Sequence, residues 1–411
     1  MSAPCAARIL RHCDALAACS EAPGALTRTF LSAEQRAANA RVSAWMQEAG
    51  MQVRLDAIGN LVARYEADAP ARPALILGSH LDTVRDAGRY DGMLGVLTAI
   101  ECVRSLHARG RRLPFALEVV GFGDEEGVRF GATLLGSRAL AGTFERACLE
   151  LRDAAGTTLR EALLAFGLDP QRIGEAARAP GTALAYVELH IEQGPVLEAE
   201  GLQLGVVTAI NGFSRLALTF AGRAGHAGTV PMALRRDALA GAAQCVSAIE
   251  RIGRATPELV ATVGRIEALP GAINVIPGEA RFTLDVRAPS DAVRERAVAE
   301  ALAEARAIGQ QRGLELRLER LQDQAAARCA PWLIAQLEDA LRAEGLTARA
   351  LASGAGHDGM AMRAIADIGM LFVRCKGGVS HHPDESIAAE DCAAGARVLM
   401  RFIESFRPGG G

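Results

Sequence analysis

Three apolar runs along the chain end in residues that can bind a cation. Residues 74–79 (Ala-Leu-Ile-Leu-Gly-Ser) lead to His80, residues 113–122 lead to Asp124-Glu125-Glu126, and residues 184–189 lead to His190. Unbroken apolar runs of this length read as strands buried on both faces. Leu94, Leu97, Ile100, Val103 and Leu106 recur at helical spacing, predicting a helix over 92–109 with Asp91 in the N-cap position. Further on, a helix near 331–344, an apolar run at 368–374 that leads toward His381, and a helix at 389–406 continue the alternation. Alternating strands and helices predict an α/β fold whose mixed sheet carries helices on both faces. In such sheets, ligand sites gather at the carboxyl ends of strands.

From about residue 213 the pattern changes. Residues 214–221 alternate like a strand, 234–253 are amphipathic, 259–266 and 280–287 read as strands, 291–312 as a long helix, and 314–321 alternate strictly. The order βαββαβ is that of a ferredoxin-like unit. Candidate ligands lie both before and after this stretch. The expected organisation is therefore one domain from 1–212 and 326–411, with 213–325 inserted as a second.

Composition narrows the class. The 411 residues are 50% hydrophobic and 23% charged, with a formal net charge of −3, which gives no reason to expect a nucleic-acid or anionic-membrane partner. Nine cysteines lie scattered without a Cys-x-x-Cys pair, which fits free thiols in a reducing cytoplasm. Arg8, Arg11, His12 and Asp14 interrupt any leader-like apolar core, and no apolar run is long enough to span a bilayer. Pro408-Gly409-Gly410-Gly411 reads as a frayed tail. Nucleotide-binding glycine loops and a Gly-x-Ser-x-Gly elbow are absent.

Each candidate has a plainer reading beside the chemical one. His80 and Asp82 are a histidine with a carboxylate able to orient it, directly or through a turn, or a polar pair after a strand. Asp91 is a helix cap, a ligand, or both. Glu125 and Glu126 are neighbours that point to different sides of an extended chain, so one suits a cation and the other a proton transfer; a solvated acidic loop is the alternative. Glu188, His190 and Glu192 alternate on one strand face, a costly arrangement unless paired or metal-bound. His226 and His357 sit in loops of small residues that can approach a ligand. Arg287 offers a planar fork for a carboxylate, or is a surface arginine at a strand end.

Together the motifs Gly78-Ser79-His80-Leu81-Asp82-Thr83-Val84, Tyr90-Asp91-Gly92, Glu125-Glu126-Gly127, Glu188-Leu189-His190-Ile191-Glu192-Gln193-Gly194, Gly225-His226-Ala227-Gly228-Thr229, Asn274-Val275-Ile276-Pro277-Gly278 and Ser353-Gly354-Ala355-Gly356-His357-Asp358 resemble the M20-type dinuclear amidohydrolases, over about residues 20–405. The similarity is to the branch of allantoate amidohydrolase, N-carbamoyl-L-amino acid hydrolase and β-ureidopropionase. The resemblance implies a metallopeptidase-like catalytic domain. One divalent ion is held by His80, Asp91 and His190 and a second by Asp91, Glu126 and His381, with Zn²⁺, Mn²⁺ or Co²⁺ suited to such ligands. Glu125 is implied as general base, assisted by Asp82 and His226, and Gln193, His226, Asn274, Arg287 and His357 as substrate-binding residues. It also implies a homodimer through 213–325, with His226 serving its own or its partner's site. The implied substrate is a small ureido acid: allantoate first, an N-carbamoyl-L-amino acid or N-carbamoyl-β-alanine as the alternative, and then an exopeptidase, an aminoacylase or a silent scaffold. Two departures from the common pattern, Gly225 and His382 where Asn is frequent, leave the ligand set intact.

Overall fold

The computed structural model describes residues 4–409, so Gly410 and Gly411 of the expected tail lie outside it, while Pro408 and Gly409 are exposed and irregular. The chain divides into two compact units, one formed by residues up to Thr208 with Cys329–Leu351 and from Ala355 onward, the other by Ala209–Arg328 with Ala352–Gly354. The second unit thus starts and ends a few residues outside the 213–325 expected from the change of pattern, and it takes three residues from much later in the chain.

In the first unit the sheet runs, in spatial order, Gln52–Leu55, Leu61–Tyr65, Ala116–Phe122, Ala74–His80, Ala183–Ile191, Ile368–Val373 and Leu204–Ile210. The Ala74–His80 strand lies parallel to both Ala116–Phe122 and Ala183–Ile191, and Ile368–Val373 is parallel to Ala183–Ile191. The flanking pairs are antiparallel, so the sheet is mixed. Every residue of Ala74–His80, Ala116–Phe122 and Ile368–Val373 is buried, which explains their unbroken apolar character.

The two faces differ in chemistry. Leu75, Leu77, Leu117, Val119, Val187, Leu189, Leu371 and Val373 join one apolar cluster with helices Ala6–Ala17, Ala33–Glu48, Met93–Ala108, Pro331–Ala343 and Ala389–Ser405. Fully burying each large aliphatic side chain contributes roughly 1.5–3 kcal/mol. The opposite face carries Phe122, Tyr186, Glu188, His190 and Phe372, where the Tyr186 hydroxyl donates to Glu188 Oε2 at 2.9 Å. This polar face carries the candidate ligand His190.

The second unit's sheet runs Ile266–Leu269, Glu279–Ala288, Gly212–Ala221, Glu315–Gln324, all antiparallel, with Val260–Thr262 also pairing to Glu279–Ala288. The strand expected at 259–266 is thus split in two. Alternate residues of Gly212–Ala221 are buried, and Leu216, Leu218 and Phe220 pack with Phe282, Leu284 and Val286 on helices Ala238–Ala255 and Asp291–Arg312. No helix among the described residues is long and apolar enough to cross a membrane.

Candidate metal centre

The parallel strands of the first unit end on one edge, and the candidate ligands come from those ends. His80 is the last residue of its strand, His190 the last but one of Ala183–Ile191, and Glu125 and Glu126 follow Ala116–Phe122. His381 lies in the loop after Ile368–Val373, and Asp91 directly precedes Gly92, the N-cap of Met93–Ala108. The expectation that Asp91 caps this helix is corrected: the helix has no side-chain cap. The Asp91 carboxylate is occupied elsewhere.

Its Oδ1 lies 3.3 Å from His80 Nε2 and 3.1 Å from His190 Nε2. Its Oδ2 lies 3.2 Å from His381 Nε2, which is 3.5 Å from Glu126 Oε1. One carboxylate therefore faces two donor sets. Within the set His80, Asp91, His190, and again within Asp91, Glu126, His381, the ligand atoms all lie within 4.8 Å of one another. Gly92 is required between them, because a Cβ there would come 2.6 Å from the His80 ring, and its φ is +73°.

The donor chemistry fits divalent cations. His80 Nδ1 is 3.0 Å from the Asp82 carbonyl oxygen and His190 Nδ1 is 2.9 Å from that of Ile191. Each Nδ1–H donates there, which leaves each Nε2 facing Asp91 Oδ1; the Gly92 N–H also approaches His190 Nε2, at 3.2 Å. A proton or a bound cation must stand between each Nε2 and the carboxylate oxygen, and such backbone-anchored imidazoles are the usual form of metal-binding histidine. Gln193 Oε1, buried beside the cluster, has no hydrogen-bond partner.

The local electrostatics show the same demand for cations. Burial would lower the His80 pKa, but Asp91, Glu125 and Asp82 outweigh it and hold it well above the usual value. Asp91 drives His381 up to about 9. Burial, with Asp91 next, pushes Glu126 up to about 7. Glu125, only 8% exposed, is also driven well up by burial, with partial relief from His80.

Asp82 meets His80 chiefly through the turn. Its oxygens accept the backbone N–H groups of Glu125 at 3.1 Å and Glu126 at 3.2 Å, while its carboxylate stays 3.8 Å from His80 Nδ1. Its own main-chain carbonyl orients the imidazole, and its side chain holds the acidic turn.

The model of Peptidase family M20/M25/M40 matches residues 76–405. The chain belongs to this family. An N-carbamoyl-L-amino acid amidohydrolase of Geobacillus stearothermophilus is 46% identical, the alignment covering 92% of this chain and 93% of the relative. An allantoate deiminase of Arabidopsis thaliana is 39% identical, covering 94% and 79%. The crystal structure of an amidase of the hydantoinase/carbamoylase family from Burkholderia multivorans superposes with a TM-score of 0.91 at 36% identity, covering 98% of this chain and 97% of that one.

Other candidates of this M20 chain fall in several places. Gln193, at φ +57°, donates through Nε2 to Asp91 Oδ2 at 3.0 Å and to Ser380 Oγ at 3.1 Å. His357 is 1% exposed rather than in an open loop, its ring centroid 4.5 Å from that of His190. Glu188 accepts from Ser79 and Tyr186 and groups with His190 and His357. Glu192 leaves that face: its oxygens accept the N–H groups of Val196 at 2.8 Å and Leu197 at 3.0 Å.

In the second unit, exposed His226 pairs across a two-residue ladder with Val275, and the Ala227 N–H donates to the Asn274 carbonyl at 2.9 Å, so His226 and Asn274 are neighbours. Arg287 already has partners: Asp285 at 2.9 and 3.0 Å and the Gly354 carbonyl at 2.9 Å. Sequence reasoning missed Ser380 and Glu385. The Ser380 hydroxyl lies 3.0 Å from Asp91 Oδ2, and Glu385 accepts the Tyr90 and Asp91 N–H groups.

Proposed function

We propose that the protein hydrolyses the ureido C–N bond of a small carboxylic acid at a two-cation centre held by His80, Asp91 and His190 on one side and Asp91, Glu126 and His381 on the other. The observation that carries this is the divided Asp91 carboxylate, each oxygen facing its own set of imidazole and carboxylate donors. Divalent cations held by these residues would supply Lewis-acid polarisation and lower the pKa of a bound water. Glu125 takes the proton of the attacking water and returns it to the departing nitrogen. Burial raises its pKa above the usual carboxylate value, which makes it a stronger proton acceptor than a solvated glutamate. Asp82 fixes the turn that aims Glu125. Gln193 and His357 stand against Asp91 and His190, close enough to shape the substrate's surroundings. His226 and Asn274 would hydrogen-bond substrate oxygens, and Arg287 would take its carboxylate in competition with Asp285.

Allantoate is the first substrate read from the sequence. The identity to an N-carbamoyl-L-amino acid amidohydrolase supports the second, an N-carbamoyl-L-amino acid. Ammonia release from allantoate, N-carbamoyl-L-amino acids and N-carbamoyl-β-alanine, with metal-stripped and Mn²⁺- or Zn²⁺-restored protein, separates them. Turnover of at least one, lost on stripping and regained on restoration, is expected; no turnover of any in any metal state would refute the reading.

A homodimer through the second unit belongs to the same proposal. Glu315–Gln324 ends its sheet and leaves Leu318 40% and Leu321 52% exposed, an edge suited to a second copy. The nine free cysteines support a reducing, cytoplasmic setting.

A further inference from the structure

The two halves of the centre are built unequally. His80 and His190 belong to sheet strands, and their side chains are 2% and 1% exposed. His381 sits on a loop at φ +55°, with its side chain 50% exposed. Something must hold that loop against Asp91. The loop is closed at its base by the Lys376 N–H donating to the Ser386 carbonyl at 2.9 Å, and within it the Glu385 N–H donates to the His382 carbonyl at 3.0 Å. Neither bond reaches Asp91.

Glu385 does. Only 3% exposed, its Oε1 accepts the N–H groups of Tyr90 at 2.8 Å and Asp91 at 3.1 Å. Its Oε2 lies 3.1 Å from the Ser380 hydroxyl, which is itself 3.0 Å from Asp91 Oδ2. Ser380 immediately precedes His381. One carboxylate therefore ties the backbone of the shared ligand to the residue beside the exposed histidine. A buried carboxylate next to another is costly unless donors meet it; here two backbone N–H groups do, and the single Ser380 hydroxyl proton lies between Glu385 Oε2 and Asp91 Oδ2. Space is reserved for it as well: a Cβ on Gly88 would overlap the Glu385 carboxyl.

We infer that Glu385, acting through Ser380, is a positioning residue that sets cation affinity in the Asp91–Glu126–His381 half of the centre and leaves the His80–Asp91–His190 half largely untouched. This rests on the two-cation reading above. No role in proton transfer is assigned to it.

The test is cation content and titration on the full-length protein, using Mn²⁺ and Zn²⁺ alone. Wild type should take up two per chain. Glu385→Ala should keep one and bind the other about 10–100-fold more weakly, the usual effect of removing a residue that orients a ligand. Glu385→Gln should stay near wild type, because its amide oxygen still accepts both backbone N–H groups and its NH₂ can donate to Ser380 Oγ. Ser380→Ala, which spares the tie to Tyr90 and Asp91, should weaken the second cation alone and decides the matter if Glu385→Ala does not fold. Two cations bound by Glu385→Ala with wild-type affinity, equal loss of both, or a Gln variant as impaired as Ala would overturn the inference. So would an unchanged Ser380→Ala. A wild-type chain taking up fewer than two would instead contradict the two-cation reading itself.

Discussion

Asp91→Asn is expected to empty both halves of the centre at once. The substitution keeps the side-chain volume but removes the one carboxylate that faces both donor sets. Cation content should fall from two per chain to below one, and kcat/KM should drop by about a thousandfold or more. That is several kcal/mol of lost charge stabilisation at ~1.4 kcal/mol per decade. Because the helix Met93–Ala108 has no side-chain cap, no capping energy of about 1 kcal/mol is lost with Asp91. The metal-free variant should still melt below metal-free wild type, because His80, His190 and His381 lose the carboxylate they face, and the stabilisation that wild type gains from added Mn²⁺ should disappear. A variant that still binds two cations would mean that Asp91 does not bridge.

Glu125→Gln should separate binding from chemistry. Glutamine keeps the size of the side chain but cannot accept the proton, so kcat should fall by about 10²–10⁴-fold, the range for loss of a general base. Cation content should stay at two, in contrast to Asp91→Asn. The pH dependence carries a sign. Burial raises the pKa of Glu125, so the ionised, proton-accepting form is lost as pH falls, and wild-type kcat/KM should show an acid limb. The residual activity of the glutamine variant should lack that limb. Equal turnover in the variant, or an acid limb that survives the substitution, would remove Glu125 from the role.

What could be read from the chain follows its physics. The central strands were legible because burial on both faces forces unbroken apolar sequence, and the helix Asp291–Arg312 was found to its last residue. The helix Ala33–Glu48 is hard to read because its buried face mixes Gln35, Ala38 and Asn39 with only two large apolar residues, Val42 and Met46, and because it depends on Ser32 accepting the Gln35 N–H. The strand Gln52–Leu55 alternates polar and apolar residues, but over only four positions, and all of it except the partly buried Val53 is exposed. At the site, the histidines and acids stood out because each closes a strand or sits in a short distinctive motif. The sequence leaves open whether Asp82 acts on His80 directly or through a turn; that its main-chain carbonyl makes the bond is something no residue type reveals. Glu385 was invisible for a different reason: its backbone partner Asp91 lies 294 positions away, and only folding brings them together.

The central claim is that Asp91 joins two cations. An anomalous-difference map recorded at the metal absorption edge, on crystals grown with Zn²⁺ or Mn²⁺, tests it most directly. The account predicts one peak among His80, His190 and Asp91 Oδ1 and a second among His381, Glu126 and Asp91 Oδ2. A single peak away from Asp91, or none at a cation concentration that sustains turnover, would contradict it.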